Sequence, residues 1–84
     1  MSNKIAVALQ GHGLNKLIND EDWRVRRAVV EQGYGLDKLI SDDKWIVRKA
    51  VARQGYGLDK LVNDKDCDVR ATAERKLKEM KENG

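Results

Sequence analysis

The sequence repeats itself every 22 residues. Displaced by that amount, residues 10–31 fall on 32–53 and then on 54–75 without a gap. QGYGLDKL stands at 32–39 and again at 54–61, and QGHGLNKL at 10–17. Leu14, Leu36 and Leu58 share one position, Leu17, Leu39 and Leu61 another, and Val25, Val47 and Val69 a third. A period of this length marks stacked supersecondary units, each too small to bury an apolar face without a neighbour. The phase also reaches backward, where Ala6 falls on Ala28 and Ala50, and Val7 on Val29 and Val51. A single domain over residues 1–84 is therefore expected. It would comprise an N-terminal half-repeat at 1–9, repeats at 10–31, 32–53 and 54–75, and a capping extension at 76–84.

Each unit reads as two helical pieces. In the middle repeat Asp42 is the expected N-cap of a segment whose Val47, Ala50 and Val51, at i, i+3 and i+4, form an apolar stripe. Gly55 supplies the left-handed residue that ends it. The preceding piece, GLDKLIS, places Leu36, Leu39 and Ile40 on one side over barely two turns, a length open to a short α-helix or a 3₁₀ turn. After Arg75 the glycine-rich link gives way to KLKEMKENG. The last helix is thus expected from Cys67 to Glu82, with Val69, Ala73, Leu77 and Met80 inward and Lys76, Lys78, Glu79, Lys81 and Glu82 in water.

The order LxxLIxDxxWxVRxAVxxQG resembles the leucine-rich repeat variant family over roughly residues 4–75. The spacing Asp-x5-Arg, with Val before each Arg, is also similar to HEAT repeats. The resemblance implies an all-α fold, a right-handed α-solenoid of short two-helix repeats, α/3₁₀ or α/α. The cysteine cluster found beside some variant repeats has no counterpart here.

Composition narrows the functional classes. Lys and Arg number 17 against 14 Asp and Glu, a net charge of +3, and the two signs are interleaved. That pattern describes a solvated surface better than the basic stripe of a nucleic-acid binder. Cys67 is the only cysteine, so one chain forms neither an internal disulfide nor a thiolate cluster, which fits a cytoplasmic setting. The apolar run from Ile5 to Leu9 is shorter than the roughly 7 residues a signal-peptide core requires. No run approaches the roughly 18 residues that cross a bilayer, so no membrane partner is expected.

Two aromatic columns are candidate partner-binding positions: His12, Tyr34 and Tyr56 between the paired glycines, and Trp23 and Trp45 in the first turn of the longer piece. Packing over the turn or over the preceding leucines is the competing role for both. Asp20, Asp42 and Asp64 stand six residues before Arg26, Arg48 and Arg70. The pairs suggest a structural ladder of charge-assisted bonds, across the helix start or to the next repeat. Lys16, Lys38 and Lys60, with Lys4, Arg24, Arg27, Lys49 and Arg53, remain for an anionic partner.

No catalytic residue, metal ligand set or cofactor is expected. The Gly-Tyr-Gly link lacks both the GK[ST] and the preceding strand that a phosphate loop needs. His12 is the only histidine, which with one cysteine leaves no zinc site. The leading expectation is a non-catalytic repeat protein serving as a protein–protein interaction or scaffold module. Its partner would be another protein, or a second copy through the N-terminal end. Weak nucleic-acid binding through the Lys and Arg columns ranks second, and an enzyme a distant third.

Overall fold

The short and long pieces of each unit fold as two α-helices. The computed structural model describes residues 3–83, and its helices run α1 (Lys4–Leu9), α2 (Leu14–Leu17), α3 (Trp23–Glu31), α4 (Leu36–Leu39), α5 (Trp45–Arg53), α6 (Leu58–Leu61) and α7 (Cys67–Asn83). Among the described residues there is no strand. Met1, Ser2 and Gly84, which the expected end segments include, lie outside the described residues.

The four-residue helices are α rather than 3₁₀. In α4 the Leu39 N–H donates to Gly35 O at 2.9 Å and the Ile40 N–H to Leu36 O at 3.0 Å, both i to i−4 bonds. The same bonds recur in α2 and α6. Of the two alternatives left open, α/3₁₀ and α/α, the described residues show the second.

Capping departs from expectation in the middle repeat. Asp22 caps α3, its Oδ1 accepting the Arg24 N–H at 2.9 Å. The residue at the N-cap of α5 is Lys44, not Asp42, and it makes no side-chain cap bond. Asp42 Oδ1 instead accepts the Lys44 N–H at 2.9 Å, one step before the helix. That placement frees the carboxylate for the arginine of the preceding repeat.

Helices α1, α3 and α5 each end in a turn that uses two glycines for different reasons. At the end of α3 the Gly33 N–H donates to Val30 O at 2.8 Å and the Tyr34 N–H to Val29 O at 3.4 Å, a Schellman closure that requires the positive φ of +73° at Gly33. Gly35, with φ +67°, starts α4, and a Cβ there would overlap Ile18 Cδ1 of the preceding repeat. Gly57 and Ile40 stand in the same relation one repeat later.

The long helices pack in sequence, α3 between α1 and α5, and α5 between α3 and α7. Each short helix lies against the long helix on either side of it in the chain. Buried Val25, Val47 and Val69 recur at one position and buried Val29, Val51 and Ala73 at another, joined by Leu39 and Leu61. Each such valine or leucine stabilises the fold by about 1.5 to 3 kcal/mol relative to exposure. The molecule extends 43 × 26 × 17 Å with a radius of gyration of 13.0 Å, above the roughly 12 Å of a globule this long.

The two ends differ. In α7 Val69 and Ala73 are buried and Leu77 half-buried, but Met80 is exposed rather than inward. It lies five residues beyond Arg75, the repeat equivalent of the last residue of α5. Its sulfur rests near the turn at Gly55, where an added Cβ would stand 3.7 Å away. Lys76 is half-buried against the same turn rather than fully wet. At the other end α1 keeps Ile5 and Val7 half-buried and leaves Leu9 exposed.

Candidate functional site

The most ordered polar feature is a series of arginine–aspartate clasps between units. Arg26 Nε donates to Asp42 Oδ2 at 2.6 Å and its Nη2 to Asp42 Oδ1 at 3.1 Å, while Nη1 reaches back to Asp20 O at 2.7 Å. Arg48 repeats the arrangement on Asp64, at 2.8 and 3.2 Å, and on Asp42 O at 2.6 Å. Each arginine thus holds the main-chain carbonyl of its own unit and the carboxylate of the next. Arg70 donates to Asp64 O at 2.8 Å, and Lys4 takes the arginine position in the half-repeat, 3.0 Å from Asp20 Oδ2.

Charge and burial oppose each other at these carboxylates. Burial pushes the Asp42 carboxyl up, but the bonds from Arg26 and from the Lys44 N–H outweigh it and hold the group below the usual carboxylate range. Asp64 behaves alike between burial and the bonds from Arg48 and the Asp66 N–H. At Asp20 the Asp22 N–H is the largest influence and Lys4 the next, and the carboxyl is again lowered.

The two aromatic columns lie on opposite edges of the row of long helices, Trp23 and Trp45 at helix starts and His12, Tyr34 and Tyr56 just past helix ends. Tyr34 and Tyr56 are each 41% exposed, and His12 is exposed as well. Trp23 is half-buried against the core, whereas Trp45 is 40% exposed. Each tryptophan ring has a cation over it, Arg27 at 5.3 Å from the centre of Trp23 and Lys49 at 5.8 Å from that of Trp45. The aromatic columns are therefore not brought together into one patch.

The lysine and arginine columns also separate. Lys16, Lys38 and Lys60 sit on the short helices, and Lys60 Nζ donates to Ser41 Oγ at 2.9 Å. Arg27, Lys49 and Arg53 line one side of α3 and α5. Two adjoining grooves follow that side. One, of about 190 Å³, lies between α3 and α5 and is lined by Arg27, Glu31, Ile46, Lys49, Ala50 and Arg53, with Gln54 at its edge. The other, of about 140 Å³, lies between α5 and α7 and is lined by Arg53, Thr72, Arg75, Lys76 and Glu79. Among the described residues Lys49, Arg53, Arg75 and Lys76 form no ion pair, and Arg27 stands 3.8 Å from Glu31.

Arg75, the last residue of the third repeat, and Lys76, in the segment that reads as a solvated cap, were not among the candidate residues. The repeat itself carries the signal that places them here: they stand one period after Arg53 and Gln54, on the same side of the next long helix. Among the described residues no group of three His, Cys, Asp or Glu side chains is arranged as metal ligands would be, and no helix is long and apolar enough to cross a membrane. Compared with known proteins, the chain matches no family model, no curated protein and no solved structure.

Proposed function

We propose that the chain is an α-solenoid, its 22-residue two-helix repeats following one another in a right-handed spiral of the leucine-rich repeat variant or HEAT-like kind. Its role is that of a non-catalytic interaction module that binds another protein through its repeated surface. The sequential packing of α1, α3, α5 and α7 and the clasps from unit to unit support the architecture. The observation that carries the role is the equal exposure of Tyr34 and Tyr56, 41% each. An aromatic ring displayed at the same place and to the same degree in successive repeats is a property of the repeat, and amphipathic aromatics are favoured anchors for protein partners. The only thiol and the only imidazole, Cys67 and His12, belong to opposite ends of the row, and α7 touches neither α1 nor α2. A nucleophile–base pair is not part of this reading. The exposed, free Cys67 suits a reducing compartment.

The test is capture of a partner from a native-cell extract by the immobilised chain, after nuclease treatment, with Tyr34→Ala/Tyr56→Ala run alongside. A protein retained by the parent chain and lost with the double variant supports the reading. Retention that disappears with nuclease points to nucleic acid instead, and retention of nothing that distinguishes the chain from a blank support removes the interaction role.

A further inference from the structure

The charge of the chain is concentrated in one place. The two adjoining grooves hold five of its 17 Lys and Arg but only two of its 14 Asp and Glu. Outside them twelve cations face twelve carboxylates, so the whole excess of positive charge lies along this side of α3, α5 and α7. Of the twelve cations elsewhere, Lys4, Arg24, Arg26 and Arg48 hold aspartates. Of the five in the grooves, Lys49, Arg53, Arg75 and Lys76 hold no carboxylate among the described residues, and Arg27 stands 3.8 Å from Glu31.

From this charge pattern we infer that the grooves receive an acidic peptide segment in extended form, lying across α3, α5 and α7 with Arg53 at its centre. The inference rests on the interaction role proposed above and names the partner's chemistry. Arg53 lines both grooves and so stands where a crossing chain must pass. Long helices pack about 8 to 10 Å apart, which makes the crossing from the first to the third roughly 20 Å. An extended peptide covers that distance with about six residues at roughly 3.3 Å each. Half-buried Ile46 and buried Ala50 give the groove between α3 and α5 an apolar portion for side chains that alternate with the acidic ones.

A peptide fits this track better than a nucleic acid does. Glu31 and Glu79 line the grooves beside the cations, and a peptide can set an uncharged residue against each, whereas a nucleic acid carries a charge at every phosphodiester. Stacking of bases needs open aromatic faces, and the nearest rings, Trp23 and Trp45, already carry Arg27 and Lys49 over one face. Tyr34 and Tyr56 line neither groove.

Fluorescence polarisation with a labelled peptide of roughly 12 residues, alternating Asp or Glu with Leu or Val, tests the inference at about 50 mM salt, where screening is weak. Binding should weaken about 10-fold or more with Arg53→Glu, at an exposed side chain, and with Lys49→Glu, at a half-buried one, and circular dichroism checks that both variants stay helical. Lys38→Glu, a change of equal charge on a short helix, should leave affinity within about twofold. A peptide with Asn and Gln in place of the acids should bind at least about 10-fold more weakly. Equal binding of the neutral peptide, equal loss with the short-helix variant, or tighter binding of an oligothymidylate of matching length would each overturn the assignment. If the acidic peptide fails while the extract still yields a captured protein, the groove assignment falls and the interaction role stands.

Discussion

The Arg48 guanidinium closes on the Asp64 carboxylate of the following repeat through two bonds, Nε to Oδ2 at 2.8 Å and Nη2 to Oδ1 at 3.2 Å. The two side chains are only 7% and 9% exposed. A bidentate pair shielded to this degree orients one unit on the next more sharply than aliphatic contacts alone. Removing one partner leaves the other charge stranded in the interior.

Arg48→Ala should therefore destabilise the chain by about 3 to 5 kcal/mol, a large fraction of the roughly 5 to 15 kcal/mol that holds a domain together. Lys4→Ala removes the corresponding pair of the half-repeat, whose lysine is 59% exposed, and should cost no more than about 1 kcal/mol. Urea denaturation of both variants measures the contrast. Equal losses would mean that the clasps contribute through charge alone and not through burial.

A methyl group at Gly57 meets Ile40 Cδ1 of the preceding unit and is also forced to adopt φ +62°. Gly57→Ala should cost clearly more than the roughly 1 kcal/mol expected of Gly13→Ala, where the φ is +63° but the space is open. Ile40→Val removes the atom in the way. The double variant should then recover part of the loss, which a double-mutant cycle in urea resolves as a coupling of about 0.5 kcal/mol or more.

Acid should weaken the fold through the clasped aspartates. Asp20, Asp42 and Asp64 ionise more readily in the folded chain than free carboxyls do. Their contribution is complete above the unfolded value near about 4 and is lost as pH falls through the lower folded values. Melting followed by circular dichroism should be nearly level from about pH 5 to 8 and decline below about pH 4. Asp42→Asn should melt lower at neutral pH and show a shallower acid decline.

Copying residues 32–53 and inserting them after Arg53 should give a longer, more stable chain. The register of the clasps survives the insertion, because Arg48 meets the copied Asp42 and the copied Arg48 meets Asp64. An added repeat brings its own burial and one more interface, so both the melting temperature and the denaturant slope should rise. A longer chain that melts lower would argue against equivalent stacked units.

Much of the fold was legible because the repeat ties each residue to its equivalents. Val25, Val47 and Val69 could be placed in the core from their spacing alone, as could the turn glycines from their position after an apolar stripe. The clasps were legible as pairs but not in their wiring. Asp-x5-Arg allows a bond within the unit or to the next, and the structure makes both, to the carbonyl and to the carboxylate respectively. Choosing between them requires the distance between stacked units, which no local pattern encodes. Asp42 was misread as the cap for the same reason, its carboxylate being claimed from a residue 16 positions earlier. Met80 looked inward by helical period, yet period says only which side a residue faces and not whether a neighbour is there to cover it. The grooves were half legible: Arg27, Lys49 and Arg53 stood out as available cations, but their union with Arg75 and Lys76 appears only when three helices lie side by side.

The turn after α1, α3 and α5 fixes its main chain with a glycine on either side, so the residue between them bears almost no duty to the fold. His12 occupies in the first repeat the place that Tyr34 and Tyr56 hold in the next two, over the same pair of backbone bonds. Such a position is a vacant slot in the blueprint, where side-chain identity is free to drift while the scaffold stays as it is. A protein assembled from these units can thus change what it displays along one edge, one residue per module, without renegotiating its interior.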